Sequence, residues 1–95
     1  MPTLHIEHSI TDFEMWNSAF NVFADVRRQA GVRTERVQCR IDDPTYVVID
    51  LEFDTTPEAE AFLRFLNTQV WAVQENAPAL ASDPATMILE LATGS

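Results

Sequence analysis

The chain has 95 residues, 46% of them hydrophobic and only two of them glycine, enough for one compact domain and too short for two. Six arginines, no lysine and fifteen acids leave a formal charge of −9, which argues against nucleic acid and anionic membrane, since both bind positive surfaces. The single cysteine, Cys39, excludes an internal disulfide or a multi-thiolate metal site, and no apolar run reaches the roughly 20 residues of a membrane span. The N-terminal Met-Pro-Thr-Leu-His does not read as a secretion signal, so a soluble, cytoplasmic protein is expected.

Residues 3–8 alternate apolar with polar and predict a half-buried strand. Thr11 to Glu14 reads as a capping box with Thr11 at the N-cap, opening a helix that runs to Ala30. Phe13, Trp16, Phe20 and Phe23 form its apolar stripe, widened by Ala19, Val22 and Val26. Arg27 and Arg28 suit the negative end of the helix dipole, and Gly31 supplies the left-handed cap. Residues 32–41 and 46–54 alternate again around the turn cluster Asp42 to Thr45, a β-hairpin. Matching its apolar rows sets Ile41 against Val47, Cys39 against Ile49 and Val37 against Leu51. A second helix starts with Thr56 as N-cap and Pro57 at its first position; Phe62, Leu63, Leu66, Val70 and Val73 form its stripe, with a bend or break near Asn67. A loop over 77–85 and a last strand over 86–92 complete the chain.

The order β-α-β-β-α-β predicts an α+β, ferredoxin-like domain spanning residues 1–95, a four-stranded antiparallel sheet with both helices on one face. Toward the helices point Leu4, Ile6, His8, Val37, Cys39, Ile41, Val47, Ile49, Leu51, Phe53, Met87, Leu89 and Leu91. The other face carries His5, Glu7, Thr34, Arg36, Gln38, Arg40, Tyr46, Val48, Asp50, Glu52, Ile88 and Glu90. It reads either as a solvated face or as a subunit interface, with Val48, Ile88 and Tyr46 poor choices for water and Arg36 able to pair with Glu52.

The segments His8-x-x-x-Asp12-Phe13-x-x-Trp16 with Phe20, then Arg40-x-Asp42-Asp43-Pro44, Leu51-Glu52-Phe53-Asp54 and Glu58-Ala59-Glu60-Ala61-Phe62 make the chain resemble the dimeric α/β-barrel superfamily. That superfamily includes antibiotic-biosynthesis-monooxygenase-like and small polyketide-cyclase-like proteins. The resemblance implies a homodimer whose sheets pack face to face and a pocket between sheet and helices in each subunit, without implying one reaction. Cofactor-free oxygenases, isomerases, haem-binding and haem-degrading enzymes and inactive proteins share the layout. The haem-degrading branch leads one to expect an Asn on the first strand and a His on the second helix, and that helix has no His.

His8, at the end of the first strand and within reach of Trp16, is the candidate catalytic residue: a general base or a haem ligand, or else a histidine bonding the turn. Trp16, Phe20, Phe65 and Trp71 are candidate pocket walls for a small hydrophobic or aromatic molecule, or plain core. Arg36, Arg40, Val48, Asp50 and Glu52 are the candidate dimer interface. Cys39 is expected to be buried and inert. No metal site and no cofactor is expected. Three functions fit: a cofactor-free monooxygenase or a cyclase or isomerase, a non-catalytic binding or structural dimer, and haem binding through His8.

Overall fold

The computed structural model describes residues 1–92. Seven elements keep the expected order: β1 (Thr3–Ser9), α1 (Phe13–Val22), α2 (Ala24–Gln29), β2 (Thr34–Arg40), β3 (Asp43–Glu52), α3 (Thr56–Phe65) and β4 (Ala85–Leu89). The strands form one antiparallel sheet in the order β2-β3-β1-β4, the ferredoxin-like arrangement. Among the described residues no helix is long and apolar enough to cross a membrane.

Strict alternation on β1 and β3 buries Leu4, Ile6 and His8 beside Val47, Ile49, Leu51 and Phe53. Ala59, Phe62 and Trp16 close that layer from the helices. The helix starts lie one residue from the sequence expectation. Asp12, not Thr11, caps α1, its carboxylate accepting from the Met15 amide at 2.8 Å. Thr55, not Thr56, caps α3 in a reciprocal box with Glu58, which places Pro57 second. In both places two neighbouring side chains could cap, and the chain's path into the helix selects one.

Three expectations are corrected. The first helix does not run unbroken to Ala30: it breaks at Phe23, where the Phe20 carbonyl accepts a long bond from the Phe23 amide at 3.3 Å and a short one from Arg27 Nη1 at 2.6 Å. Val22 consequently faces water rather than the core.

The hairpin turns at Ile41 and Asp42 and is shifted by two residues, pairing Cys39 with Val47, Val37 with Ile49, Arg36 with Asp50 and Thr34 with Glu52. Pro44 has no amide to give a ladder, and the Asp43 carboxylate takes the Thr45 amide and hydroxyl instead, so β3 bulges beside Arg40. A two-residue slip keeps every side chain on its predicted face, but it leaves Ile41 fully exposed at the tip. Cys39 is exposed as well, because β2 is an edge strand beyond the helices' cover.

The third correction inverts β4. Leu4 pairs with Ile88 and His5 with Met87, so Ile88 packs against the core while Met87, Leu89 and Leu91 are exposed. Met87, Ile88 and Leu89 are all apolar, and pairing with β1 rather than hydrophobicity chooses between them. Gly31, as expected, is left-handed (φ 103°); a Cβ there would meet Glu58 Oε2 at 2.5 Å, so the same glycine leaves room for the α3 cap.

Candidate functional site: a cavity between sheet and helices

All five residues singled out for the pocket and its chemistry line one cavity: His8 from the sheet, Trp16 and Phe20 from α1, Phe65 from α3, and Trp71 just beyond it. Ile6, Ile49 and Leu51 make its floor. The loop through Asn76 and Leu80 closes one end, tied to β1 by Thr11 N–H to the Ala79 carbonyl (2.9 Å), Ala81 N–H to the Ser9 carbonyl (3.0 Å) and the Ile10–Leu80 bridge. These bonds seat the loop against the end of β1 that carries His8.

Trp71 reaches the cavity through a backbone irregularity. Residues 66–70 form a π turn closed by the Trp71 amide on the Leu66 carbonyl at 2.8 Å. The extra residue in that turn rotates the downstream side chains by roughly one helical position, so Val70 keeps the buried stripe and Trp71 still reaches the cavity.

Trp16 and Phe20 stack along the α1 side of the cavity, and Phe13, tilted against Trp16, continues the row outside it. Phe13 lies 5.9 Å from Trp16, Trp16 stacks on Phe20 at 4.8 Å, and the Arg27 guanidinium sits 3.6 Å from the centre of the Phe20 ring. Arg27 is 4% exposed and donates from Nε to Glu35 at 2.7 Å. Sequence reasoning assigned it only to the helix end. Two adjacent arginines suit that place equally, and the signal that separates them is the helix break, which turns Arg27 inward and leaves Arg28 in solvent.

His8 is 3% exposed. Its Nδ1 lies 3.0 Å from the Ser9 carbonyl, which can only accept, so Nδ1 carries the proton and Nε2 holds the free lone pair. Nε2 has no partner among the described residues, on the ring edge away from the backbone. Burial lowers its pKa below the ordinary histidine value, the Ser9 bond opposing in part, so the ring is neutral at pH 7. The site therefore offers one unoccupied basic nitrogen against an aromatic wall. Asn76, the other polar neutral group, spends its amide on the Gln69 carbonyl at 2.6 Å.

The cavity holds about 70 Å³. That is room for more than one water but about half the roughly 150 Å³ that takes up a benzene ring in a comparable apolar site. A porphyrin does not fit this space, so the haem reading of His8 is not supported by the residues present. Among the described residues no group of three or more potential metal ligands converges.

The residues expected at a dimer interface lie together on the opposite, open face of the sheet: Arg36 across from Asp50, Glu52 beside Thr34, Val48 beside Glu7, and Arg40 near the Tyr46 ring. The expected Arg36–Glu52 pair is replaced by Arg36 opposite Asp50, through the register shift. His5 joins this face in a network that the sequence did not announce, bonding Glu7 and Asp50.

No protein-family model and no curated protein matches the sequence. Solved structures match over nearly the whole chain. A candidate antibiotic biosynthesis monooxygenase from Nitrosomonas europaea is 18% identical, covers 98% of this chain and 100% of its own, and superposes with a TM-score of 0.70. A similar protein from Deinococcus radiodurans is 14% identical, with 100% and 96% covered and a TM-score of 0.65. A dimeric ferredoxin-like protein from an uncultured marine organism is 14% identical, with 99% and 96% covered and a TM-score of 0.66. The fold is thus the one these monooxygenase-like and dimeric ferredoxin-like proteins share, as the sequence resemblance implied.

Proposed function

We propose that the cavity binds a small aromatic molecule bearing an acidic hydroxyl or activated C–H, and that His8 Nε2 takes its proton. The observation that carries this reading is the tautomer: Nδ1 is committed to the Ser9 carbonyl, and Nε2 is the one unoccupied base beside Trp16 and Phe20. A neutral imidazole with a lowered pKa accepts a proton only from a donor brought close and desolvated with it, as general-base chemistry requires. The anion so formed is the species from which either cofactor-free oxygenation or ring closure proceeds. We also infer that a second copy of the chain covers the open sheet face, through Arg36, Arg40, Val48, Asp50 and Glu52 together with Met87 and Leu89; the dimeric neighbours of the same fold support this.

Both tryptophans of the chain line the cavity, so their fluorescence reports its occupancy. Titration with 4-nitrophenol should quench that emission saturably. His8→Phe should weaken binding about tenfold, the value of one hydrogen bond of about 1–1.5 kcal/mol. The wild-type affinity should fall as pH drops through the lowered pKa of His8, because protonation removes the acceptor. No saturable quenching in the wild type, or an affinity unchanged in His8→Phe, contradicts the assignment.

A further inference from the structure

On the open face of the sheet, both ring nitrogens of His5 meet carboxylates: Nδ1 lies 2.7 Å from Asp50 Oδ1 and Nε2 lies 2.7 Å from Glu7 Oε2. A neutral imidazole has one N–H, so one of its nitrogens would turn a lone pair toward an anion; the imidazolium satisfies both contacts. Tyr46 Oη donates to the other oxygen of Glu7 at 2.7 Å, which extends the chain of bonds across β1 and β3.

We propose that the Glu7–His5–Asp50 network is an acid–base latch on self-association, in which a charged His5 lets two copies close face to face and a neutral His5 drives them apart. The proposal rests on the homodimer reading and adds what governs it. Every strand of the sheet contributes to the balance. From β1 come His5 and Glu7; from β3 Asp50, Glu52 and Tyr46; from β2 Arg36, directly across from Asp50, and Arg40, which also holds Asp42 at the hairpin tip. From β4 the residue across from His5 is Met87, with Leu89 beside Thr3, neither of them charged. With His5 charged, Glu7, Asp50 and Glu52 face His5 and Arg36, while Arg40 is taken up by Asp42 and Asp43 at the hairpin tip, on a chain whose formal charge is −9. A surface that intersperses cations with carboxylates and carries Val48, Met87 and Leu89, on so acidic a chain, suits a second copy of itself, whereas a basic partner would be better served elsewhere.

A twofold contact doubles each group. Two neutral His5 rings would leave Glu7 and Asp50 of both copies facing one another while water is excluded, and like charges confined this way repel strongly. The direction of titration agrees. Hydrogen bonding to Glu7, then to Asp50, raises the His5 pKa above the ordinary histidine value, with burial opposing, and the same bond to His5, then that from Tyr46, lowers that of Glu7. For association the two states are monomer and dimer: the copy's carboxylates raise the His5 pKa further in the closed dimer, so the dimer weakens as pH rises from the monomer's value through the dimer's.

Sedimentation equilibrium from about pH 6 to about pH 9, spanning the raised histidine range, tests the latch. The wild-type dimer dissociation constant should rise by about tenfold or more as His5 loses its proton. His5→Gln should form a weaker dimer at the acid end and show no rise. The double variant Glu7→Gln, Asp50→Asn, which needs no cation between its side chains, should also lose the rise while remaining dimeric in alkali. A wild-type dimer whose constant is flat with pH, or variants that keep the wild-type rise, overturn the latch while the homodimer reading stands. A wild-type chain monomeric throughout overturns both.

Discussion

Trp16→Ala should lower the unfolding free energy by about 3–5 kcal/mol, the usual cost of deleting a buried large aromatic. Trp16 is buried in the layer formed with Leu4, Ile6, Ile49 and Phe62, and it stands between Phe13, tilted against it, and Phe20, stacked on it. Its removal joins the empty side-chain volume to the existing cavity, and Phe13 and Phe20 each lose an aromatic partner. A domain of this size has about 5–14 kcal/mol in total, so the variant should unfold at markedly lower urea. Trp71→Ala is the comparison. That side chain is only partly buried and lies outside the layer of fully buried residues, so its loss should cost clearly less while still impairing ligand binding. Urea unfolding of both variants decides the point: equal losses would mean that Trp16 is wall only and not core.

The second large effect belongs to Arg27. Arg27→Met keeps the aliphatic stem and removes the guanidinium, and with it the bonds to Glu35 and to the Phe20 carbonyl and the stacking on the Phe20 ring. Glu35 is 43% exposed and regains water, so that ion pair counts for little. The Phe20 carbonyl at the helix break keeps only the long bond from the Phe23 amide at 3.3 Å, and the charged hydrogen bond it loses is worth about 1.5–3 kcal/mol. Together with the lost stacking, about 2–3 kcal/mol of destabilisation is expected. Arg27→Lys should recover only a fraction, since one ammonium cannot span the Glu35 carboxylate and the Phe20 carbonyl as a planar fork does. Stability equal to wild type in Arg27→Met, by urea unfolding, would show that the α1–α2 break holds without this side chain.

Different parts of the molecule were legible to different degrees, for physical reasons. β1 reads directly because Leu4, Ile6 and His8 alternate with polar residues, so one parity can be buried. β4 does not, because Met87, Ile88 and Leu89 offer apolar side chains to both faces, and only pairing with β1 orders them. The hairpin faces were legible and its register was not: the slip preserves parity, and it depends on Asp43 capturing Thr45 beside a proline. Cys39 looked like core by its position in the alternation, a rule that assumes helices cover the strand, and β2 lies at the sheet edge.

The pocket residues were legible from aromatic spacing and from His8 standing at the end of its strand. Arg27 was not, since its inward turn comes from a helix break without glycine or proline to mark it. The His5 network needed the β1–β3 register, which sets His5 opposite Asp50. Glu7, two residues along the same strand, was the one partner that sequence alone could supply.

A crystal structure of the chain soaked with 4-nitrophenol tests the proposed chemistry most directly. The phenol ring is expected against Trp16 and Phe20, its oxygen within hydrogen-bond distance of His8 Nε2, and Nδ1 still on the Ser9 carbonyl. A ring bound only on the open face of the sheet, or a cavity filled by its own side chains with His8 Nε2 turned away, would contradict it.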